Sequence, residues 1–206
     1  MPVTAAQLAL VLGAQAVALA TPGPALVSIS QKAIAQGRAP ALLFGLGLGF
    51  GATSWVLASM LGLGLVLHRF PALLMAMTLV GGGYLIYVAW AIWRGADAPL
   101  SEGTTAANGF WAGYRLNVSN PKPILFFSSL FLSVFPEPFT LASGAAVYLS
   151  MLTLELSFFT AVALTLTTPS VRARALRAKP VIDRVAAVVI GALGVWLLWG
   201  LAYMAQ

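Results

Sequence analysis

Asn120-Pro121-Lys122-Pro123 lies inside an otherwise apolar run from Gly109 to Phe135. The run is long enough to be a membrane span, because a bilayer core about 30 Å thick takes about 20 helical residues to cross. Each proline removes a backbone donor, and lipid offers no water to the carbonyl that is left unpaired. We therefore expect the helix to break where protein or a wet cavity satisfies the backbone, with Lys122 near mid-depth.

The residues at the break indicate where the next half-helix begins. Asn120 is a favourable N-cap residue, and Pro121 suits the first helical position, where the missing N–H has no intrahelical partner to lose. These residues predict that a new half-helix starts at Asn120. Its free N–H groups and positive dipole end would then point into the middle of the protein, where they favour an anion such as a carboxylate.

A second copy of the pattern lies 99 residues earlier, at Thr21-Pro22-Gly23-Pro24. A residue of the N-capping type again precedes a proline, one further residue and a second proline. The two copies predict two broken helices and an internal repeat.

Composition restricts the class of protein. Of the 206 residues, 60% are hydrophobic and 8% are charged, which is too little polar surface to cover a soluble domain. The absence of cysteine and the single histidine exclude disulfides, thiolate metal sites and histidine clusters, so we expect no metal, no cofactor and no enzyme. The net charge of +6 comes from basic residues between apolar spans, which indicates orientation in a bilayer and no nucleic-acid partner.

The hydrophobic pattern predicts six spans, at about Ala5–Ile34, Pro40–Leu67, Pro71–Trp93, Gly109–Phe135, Thr140–Thr167 and Val185–Tyr203. A polar loop at 96–108 separates a first repeat, 1–95, from a second, 109–206. The basic stretch Pro169–Arg184 is interpreted as a loop that sets orientation. The predicted fold is an all-α membrane protein of six transmembrane helices, arranged as two inverted three-helix repeats with helices 1 and 4 broken.

Charge decides the expected orientation. Of the Lys and Arg residues counted in the loops, eight fall after spans one, three and five, whereas only Arg69 falls on the other side. By the positive-inside rule these three loops are cytoplasmic and both termini are periplasmic. A half with three spans ends on the opposite side from where it began, so the repeat is inverted and its interface is the expected substrate site.

Lys122 and Glu155 carry the charges that the site would use. A lysine at a positive helix end needs a negative partner, so either Glu155 or a bound anion must supply one. The two side chains could form a structural pair, or Lys122 could bind a substrate carboxylate. Glu155 could instead carry a proton or cation, since burial disfavours a charged carboxylate. Asn117, Asn120 and Thr21 could hydrogen-bond a ligand or satisfy freed backbone groups.

Several motifs together resemble the LysE/RhtB family of amino-acid exporters: Thr-Pro-Gly-Pro at 21–24, Gly37-Arg38, glycines 45, 47, 49 and 51 at a spacing that predicts close helix approach, Gly-Tyr-Leu-Ile-Tyr at 83–87, and Asn-Pro-Lys at 120–122. The resemblance implies a six-helix protein of the bacterial inner membrane that exports an amino acid or close derivative and is driven by the proton gradient. Family members often carry an aspartate where this chain has Ala52. The resemblance therefore favours a neutral substrate such as homoserine, threonine or a small apolar amino acid over lysine or arginine.

The predicted substrate site combines both breaks with the buried polar residues: Thr21, Pro22, Gly23, Pro24, Asn117, Asn120, Pro121, Lys122 and Glu155. Glu155 is also the predicted proton-coupling residue. The expected partners are the amino-acid substrate and the lipid bilayer, and homo-oligomerisation is left open. A channel or a non-transporting membrane scaffold is the alternative function, although neither explains two broken spans with a buried lysine.

Overall fold

The structure is a computed structural model of the chain, and it describes residues 2–62, 66, 69–97, 109–135 and 140–204. All regular secondary structure in this part of the chain is helical. The helices are α1 (Ala5–Ala20), α2 (Pro24–Gln36), α3 (Arg38–Met60), α4 (Pro71–Gly95), α5 (Gly109–Val118), α6 (Pro121–Val134), α7 (Leu141–Leu166) and α8 (Pro169–Met204). The prediction of an all-α protein is confirmed.

The first predicted span is broken, as expected, and its halves α1 and α2 are bent by 58°. Thr21 ends α1, because its N–H and its hydroxyl both donate to Val17 O, at 3.1 and 2.8 Å. The N-cap of α2 is Gly23, which supplies no side-chain hydrogen bond, and Pro24 is its first residue. The prediction that Thr21 caps the second half-helix is therefore wrong, since its hydroxyl is committed to the end of the preceding helix.

The second break follows the prediction closely. α5 ends at Val118, and Asn120 has the extended backbone of an N-cap, with φ −81° and ψ 121°. Its side-chain Oδ1 accepts a hydrogen bond from the N–H of Lys122 at 3.1 Å. Pro121 is the first residue of α6, so the predicted half-helix start is confirmed.

Length and composition identify several membrane spans. α3, α4, α7 and α8 each contain a stretch long and apolar enough to cross a bilayer, and the bent pair α1 and α2 together supply a fifth. α6 is apolar but has only 14 residues. The described helices thus define a membrane protein with four or five candidate spans, whereas six spans in two inverted repeats stay a prediction.

Two predicted boundaries differ from the structure. The second span was expected to reach Leu67, but α3 ends at Met60 and Gly62 follows in the left-handed region, with φ +98°. The stretch from Pro169 to Arg184, predicted as a loop, is helical and continues through Pro180 into the last span. Asp183 is buried there, while most of the described basic residues of the stretch are exposed. Of the predicted linker 96–108, all but the first two residues lie outside the described ones.

α3 is the centre of the packing, and its glycines allow neighbours to approach on two faces. On one face, a Cβ at Gly47 would overlap the carbonyl of Phe110 on α5. On the other face, a Cβ at Gly49 would lie 2.6 Å from Leu156 Cδ2 on α7. The predicted close helix approach is confirmed, and it brings α5 and α7 together around the same part of α3.

A polar cluster ties α2, α4 and α8 together at one end of the bundle. Lys179 Nζ donates to Gly95 O and Ala96 O at 3.0 and 2.8 Å, and it forms an ion pair with Asp183 at 3.0 Å. Gln31 Nε2 on α2 donates to the same carboxylate at 3.3 Å. A lysine of the basic stretch therefore caps the carbonyl end of α4 in addition to any role in orientation.

Candidate functional site

A cavity of about 60 Å³ lies between the two helix breaks, large enough to admit water. Its walls come from α1, α2, α3, α5, α6 and α7, with the described breaks between them. Six of the nine predicted site residues line it: Thr21, Gly23, Asn117, Asn120, Lys122 and Glu155. The structure therefore brings the two Pro-x-Pro segments to one place.

The three remaining predicted residues are prolines, and none of them lines this cavity. Pro22 borders a larger, mainly apolar crevice between α2, α7 and α8. Pro24 and Pro121 are buried, and Pro121 packs so closely on α4 that a Cβ at Gly81 would overlap it. These three prolines shape the breaks without lining the cavity, whereas Pro123, which was not among the predicted site residues, does line it.

Lys122 completes the end of α1. Its Nζ donates to Ala18 O at 2.8 Å and to Thr21 O at 3.1 Å. In an uninterrupted helix Ala18 O would accept from the N–H four residues on, but that residue is Pro22, which has none. The ammonium takes the place of the missing donor, at the negative end of the α1 dipole. The expectation that only Glu155 or a bound anion could offset this charge is therefore wrong.

Lys122 and Glu155 line the same cavity without touching. No ion pair within 4.0 Å joins these two described side chains. An ammonium has three N–H groups, and two of those on Lys122 are used by the α1 carbonyls, so one is left for the cavity. The structure thus offers one cationic and one acidic group at separate places.

Glu155 is held by a residue that the sequence did not single out. Glu155 is 3% exposed, and its Oε1 accepts a hydrogen bond from Gln15 Nε2 at 3.2 Å. The same Nε2 donates to Met151 O at 3.0 Å, which ties α1 to α7. Gln15 lies in the interior of the apolar helix α1, whose other polar residue, Gln7, lies in the first turn. A polar residue at that depth in a span is the signal that would have indicated it.

The two half-helix starts differ in the donors they offer. In the first turn of α6, Pro121 and Pro123 have no N–H, and the N–H of Lys122 is taken by Asn120. The expectation of free N–H groups there is wrong for that reason. In the first turn of α2, the N–H groups of Ala25 and Leu26 form no hydrogen bond within the described residues, and both residues line the cavity.

Two further residues define the cavity from the α3 and α5 side. Asn117 is 2% exposed, and its Nδ2 donates to Leu48 O at 2.6 Å. Ala52, also 2% exposed, lines the wall with a methyl group. The position at which the resemblance implies a frequent aspartate therefore does face the site.

A helical membrane protein whose broken helices meet at a buried cavity with few charges belongs, by architecture, to the class of membrane transporters. Charged side chains are costly inside a bilayer, and Lys122 and Glu155 both sit at this cavity.

Comparison with known proteins agrees with that class. A family model described as LysE type translocator matches residues 16–200, and the chain belongs to this family. The threonine efflux protein of Salmonella typhi is 32% identical, over 88% of this chain and 92% of the relative. That of Escherichia coli K12 is 29% identical over the same shares. An uncharacterized membrane protein of Haemophilus influenzae is 31% identical over 54% of this chain and 58% of its own length. No solved structure matches.

The chain is thus a bacterial amino-acid exporter by family, and the two efflux proteins named above are transporters rather than enzymes. The resemblance stated from the proline motifs is confirmed.

Proposed function

We propose that the protein is a secondary active exporter that carries a neutral amino acid, of threonine or homoserine type, out across the bacterial inner membrane in exchange for protons. The observation that carries the proposal is the cavity at the two breaks, with one cation, Lys122, and one acid, Glu155. A zwitterion matches this balance, because it brings one charge of each sign. Relatives named threonine efflux protein support the same substrate class.

The substrate carboxylate binds at the Lys122 end of the cavity. The remaining N–H of the ammonium and the first-turn N–H groups of Ala25 and Leu26 are donors that a carboxylate can use. Gly23 leaves room there, since a Cβ on it would lie 3.7 Å from Lys122 Nζ. These donors count for more than in water, because little solvent screens them.

The preference for a neutral substrate follows from Ala52. A second carboxylate at this wall would favour a cationic side chain, and the methyl group supplies none. Lysine or arginine would bring a second positive charge into a cavity whose one acid already has to match the α-ammonium, and desolvating an unpaired charge is costly.

Glu155 couples transport to the proton gradient. It is 3% exposed, and its Oε2 has no hydrogen-bond partner, so it is available to a proton from the cavity. An exporter driven by the proton gradient returns protons inward while substrate moves outward. A carboxylate that alternates between ionised and protonated forms performs the inward step.

The inverted repeat, 1–95 and 109–206, is part of the proposal. At 1.5 Å per residue α5 and α6 together extend about 36 Å, which is enough to cross a bilayer core. The helix contacts come in pairs, as expected for two halves related by a two-fold axis. In one pair, α3 packs on α5 and α6, and α7 packs on α1 and α2. In the other, α4 contacts α6, and α8 contacts α2. Gly23 and Lys122, 99 residues apart, are equivalent positions and lie side by side.

The orientation has both termini in the periplasm. The cluster of Gln31, Lys179 and Asp183, together with the Arg184–Asp97 ion pair, brings the basic ends of α2, α4 and α8 to one face. By the positive-inside rule that face is cytoplasmic.

Counterflow in proteoliposomes tests the proposal. Vesicles loaded with unlabelled L-threonine should accumulate labelled L-threonine against its gradient, and L-homoserine should compete better than L-lysine. A channel would only equilibrate the label and a scaffold would take up none, so either result contradicts an exporter.

Glu155→Gln tests the coupling in the same vesicles. The variant keeps an acceptor oxygen and the shape of the side chain but cannot ionise. We expect exchange at equal pH to survive with a higher half-saturation, and uptake driven by a pH gradient to be lost. Uptake that still follows the gradient would place the proton elsewhere.

A further inference from the structure

Three side-chain oxygens of residues that line the cavity have no hydrogen-bond partner within the described part of the chain: Gln15 Oε1, Asn117 Oδ1 and Glu155 Oε2. The residues come from α1, α5 and α7, are between 1% and 3% exposed, and all line the cavity. A buried acceptor without a donor costs free energy, so three at one cavity call for an explanation.

The hydrogen bonds of both amides determine which of their atoms is left for a ligand. Gln15 Nε2 and Asn117 Nδ2 donate to main-chain carbonyls, those of Met151 and Leu48. Carbonyls only accept, so turning either amide over would place two acceptors against each other. The free oxygens are therefore what these two residues present to a ligand.

No group within the described part of the chain supplies the missing donors. Among the described residues, Lys122 is the only other titratable side chain that lines the cavity, and it bonds the end of α1 without pairing to Glu155. Ala52 of α3 contributes a methyl group, and Asn120 of α6 caps its own helix. The three acceptors belong to residues that line one cavity, so a ligand bound in the cavity is the candidate source of the donors.

We infer that Gln15, Asn117 and Glu155 form a binding subsite for the primary ammonium group of the substrate, apart from the carboxylate end at Lys122. An ammonium has one positive charge and three N–H groups, which matches one carboxylate oxygen and two amide oxygens. Gln15 is a substrate-binding residue in this arrangement, and it also positions Glu155 through the bond to Oε1. The inference rests on the amino-acid substrate of the proposed function.

The subsite also explains how proton and substrate exchange. The ammonium binds when Glu155 is ionised, and a proton that arrives on Glu155 from the periplasm removes the charge that holds it. The substrate then leaves outward, the proton travels inward on Oε2, and the next ammonium displaces it to the cytoplasm. One proton is exchanged for each substrate, and one carboxylate serves both.

The test compares ligands that differ only at the ammonium. Binding of L-threonine and of 2,3-dihydroxybutanoate, in which a hydroxyl replaces the ammonium, is measured on the purified protein in lipid nanodiscs. We expect the hydroxyl analogue to bind at least about 30-fold more weakly, the scale for removing one partner of a buried charge pair. Equal binding of the two ligands would overturn the subsite but leave the exporter standing. Failure of both ligands to bind would instead contradict the proposed function.

Two variants test whether Gln15 and Asn117 bind the ammonium group. Gln15→Met and Asn117→Leu should each weaken L-threonine about tenfold and weaken the hydroxyl analogue less, because a hydroxyl has one donor where the ammonium has three and a charge. Ser128→Ala is the matched control, because Ser128 is 4% exposed, has an unpaired hydroxyl and does not line the cavity. Loss of both ligands to the same extent would show a general structural role and overturn the assignment, as would no change. If replacing sodium by choline abolishes binding to the wild type, a metal ion occupies the site and the ammonium does not.

Discussion

Replacing Lys122 by Met should separate the two roles of this side chain. The substitution keeps most of the apolar stem and removes the ammonium, so Ala18 O and Thr21 O lose their donor. A fully buried carbonyl left without a partner costs about 1 to 3 kcal/mol, and these two are partly buried, so together they should lower the free energy of unfolding by about 1 to 4 kcal/mol. The lost interaction with the α1 dipole adds up to about 1 kcal/mol.

A double-mutant cycle with Pro22→Ala tests the reason for that loss. Alanine at this position restores the N–H that Ala18 O lacks, so Lys122→Met should cost less on the Pro22→Ala background. We expect the two changes to differ from additivity by at least about 1 kcal/mol in thermal unfolding of the detergent-solubilised protein. Additive changes would refute the idea that the lysine replaces the missing backbone donor.

The same variant tests binding of the carboxylate. Lys122→Met should lose about 2 to 5 kcal/mol of affinity for L-threonine, the scale for truncating one partner of a buried charge pair. L-threoninamide, which has no carboxylate, should compete poorly on the wild type. An unchanged half-saturation in a folded variant, or equal competition by acid and amide, would move the carboxylate away from Lys122.

Three further predictions concern selectivity, packing and orientation. Ala52→Asp adds a carboxylate to the cavity wall, so L-lysine should compete better and L-threonine worse in counterflow; an unaltered order would remove Ala52 from substrate selection. Gly47→Ala should lower the unfolding temperature, because the new methyl group clashes with the Phe110 carbonyl at a cost of about 1 to 3 kcal/mol. Gly83→Ala is the control, because a Cβ there would meet no described atom within 4 Å, and equal effects of the two variants would refute the packing argument. A reporter active only in the periplasm should work when fused after Gln206 and fail between α7 and α8; the reverse pattern would contradict the inverted orientation.

The helix breaks were predictable because proline acts locally. Asn120 is an N-cap residue directly followed by a proline that suits the first helical position, so the second half-helix could be placed there from sequence alone. The first break was located correctly, but its cap was not, since a threonine can serve either the helix behind it or the one ahead. Only the backbone conformation of Gly23 decides between them.

The partners of the charged residues were beyond sequence reasoning. Lys122 was expected to pair with an opposite charge, but its ammonium donates to two carbonyls at the end of α1. The position of these carbonyls depends on how two distant breaks meet. The basic stretch after α7 was mistaken for a loop because charge counts say nothing of helical periodicity, and Asp183 and Lys179 pair one turn apart there. Tertiary contacts, not local pattern, determined these outcomes.

The bond from Lys122 to Ala18 has a consequence for biogenesis. The acceptor is made 104 residues before its donor, which corresponds to about 5 to 20 s at common rates of translation. During that interval the proline break of the first span has carbonyls that lipid cannot satisfy. The nascent first half must therefore wait beside water or the insertion machinery, and only the arrival of the second half allows it to settle fully into the bilayer.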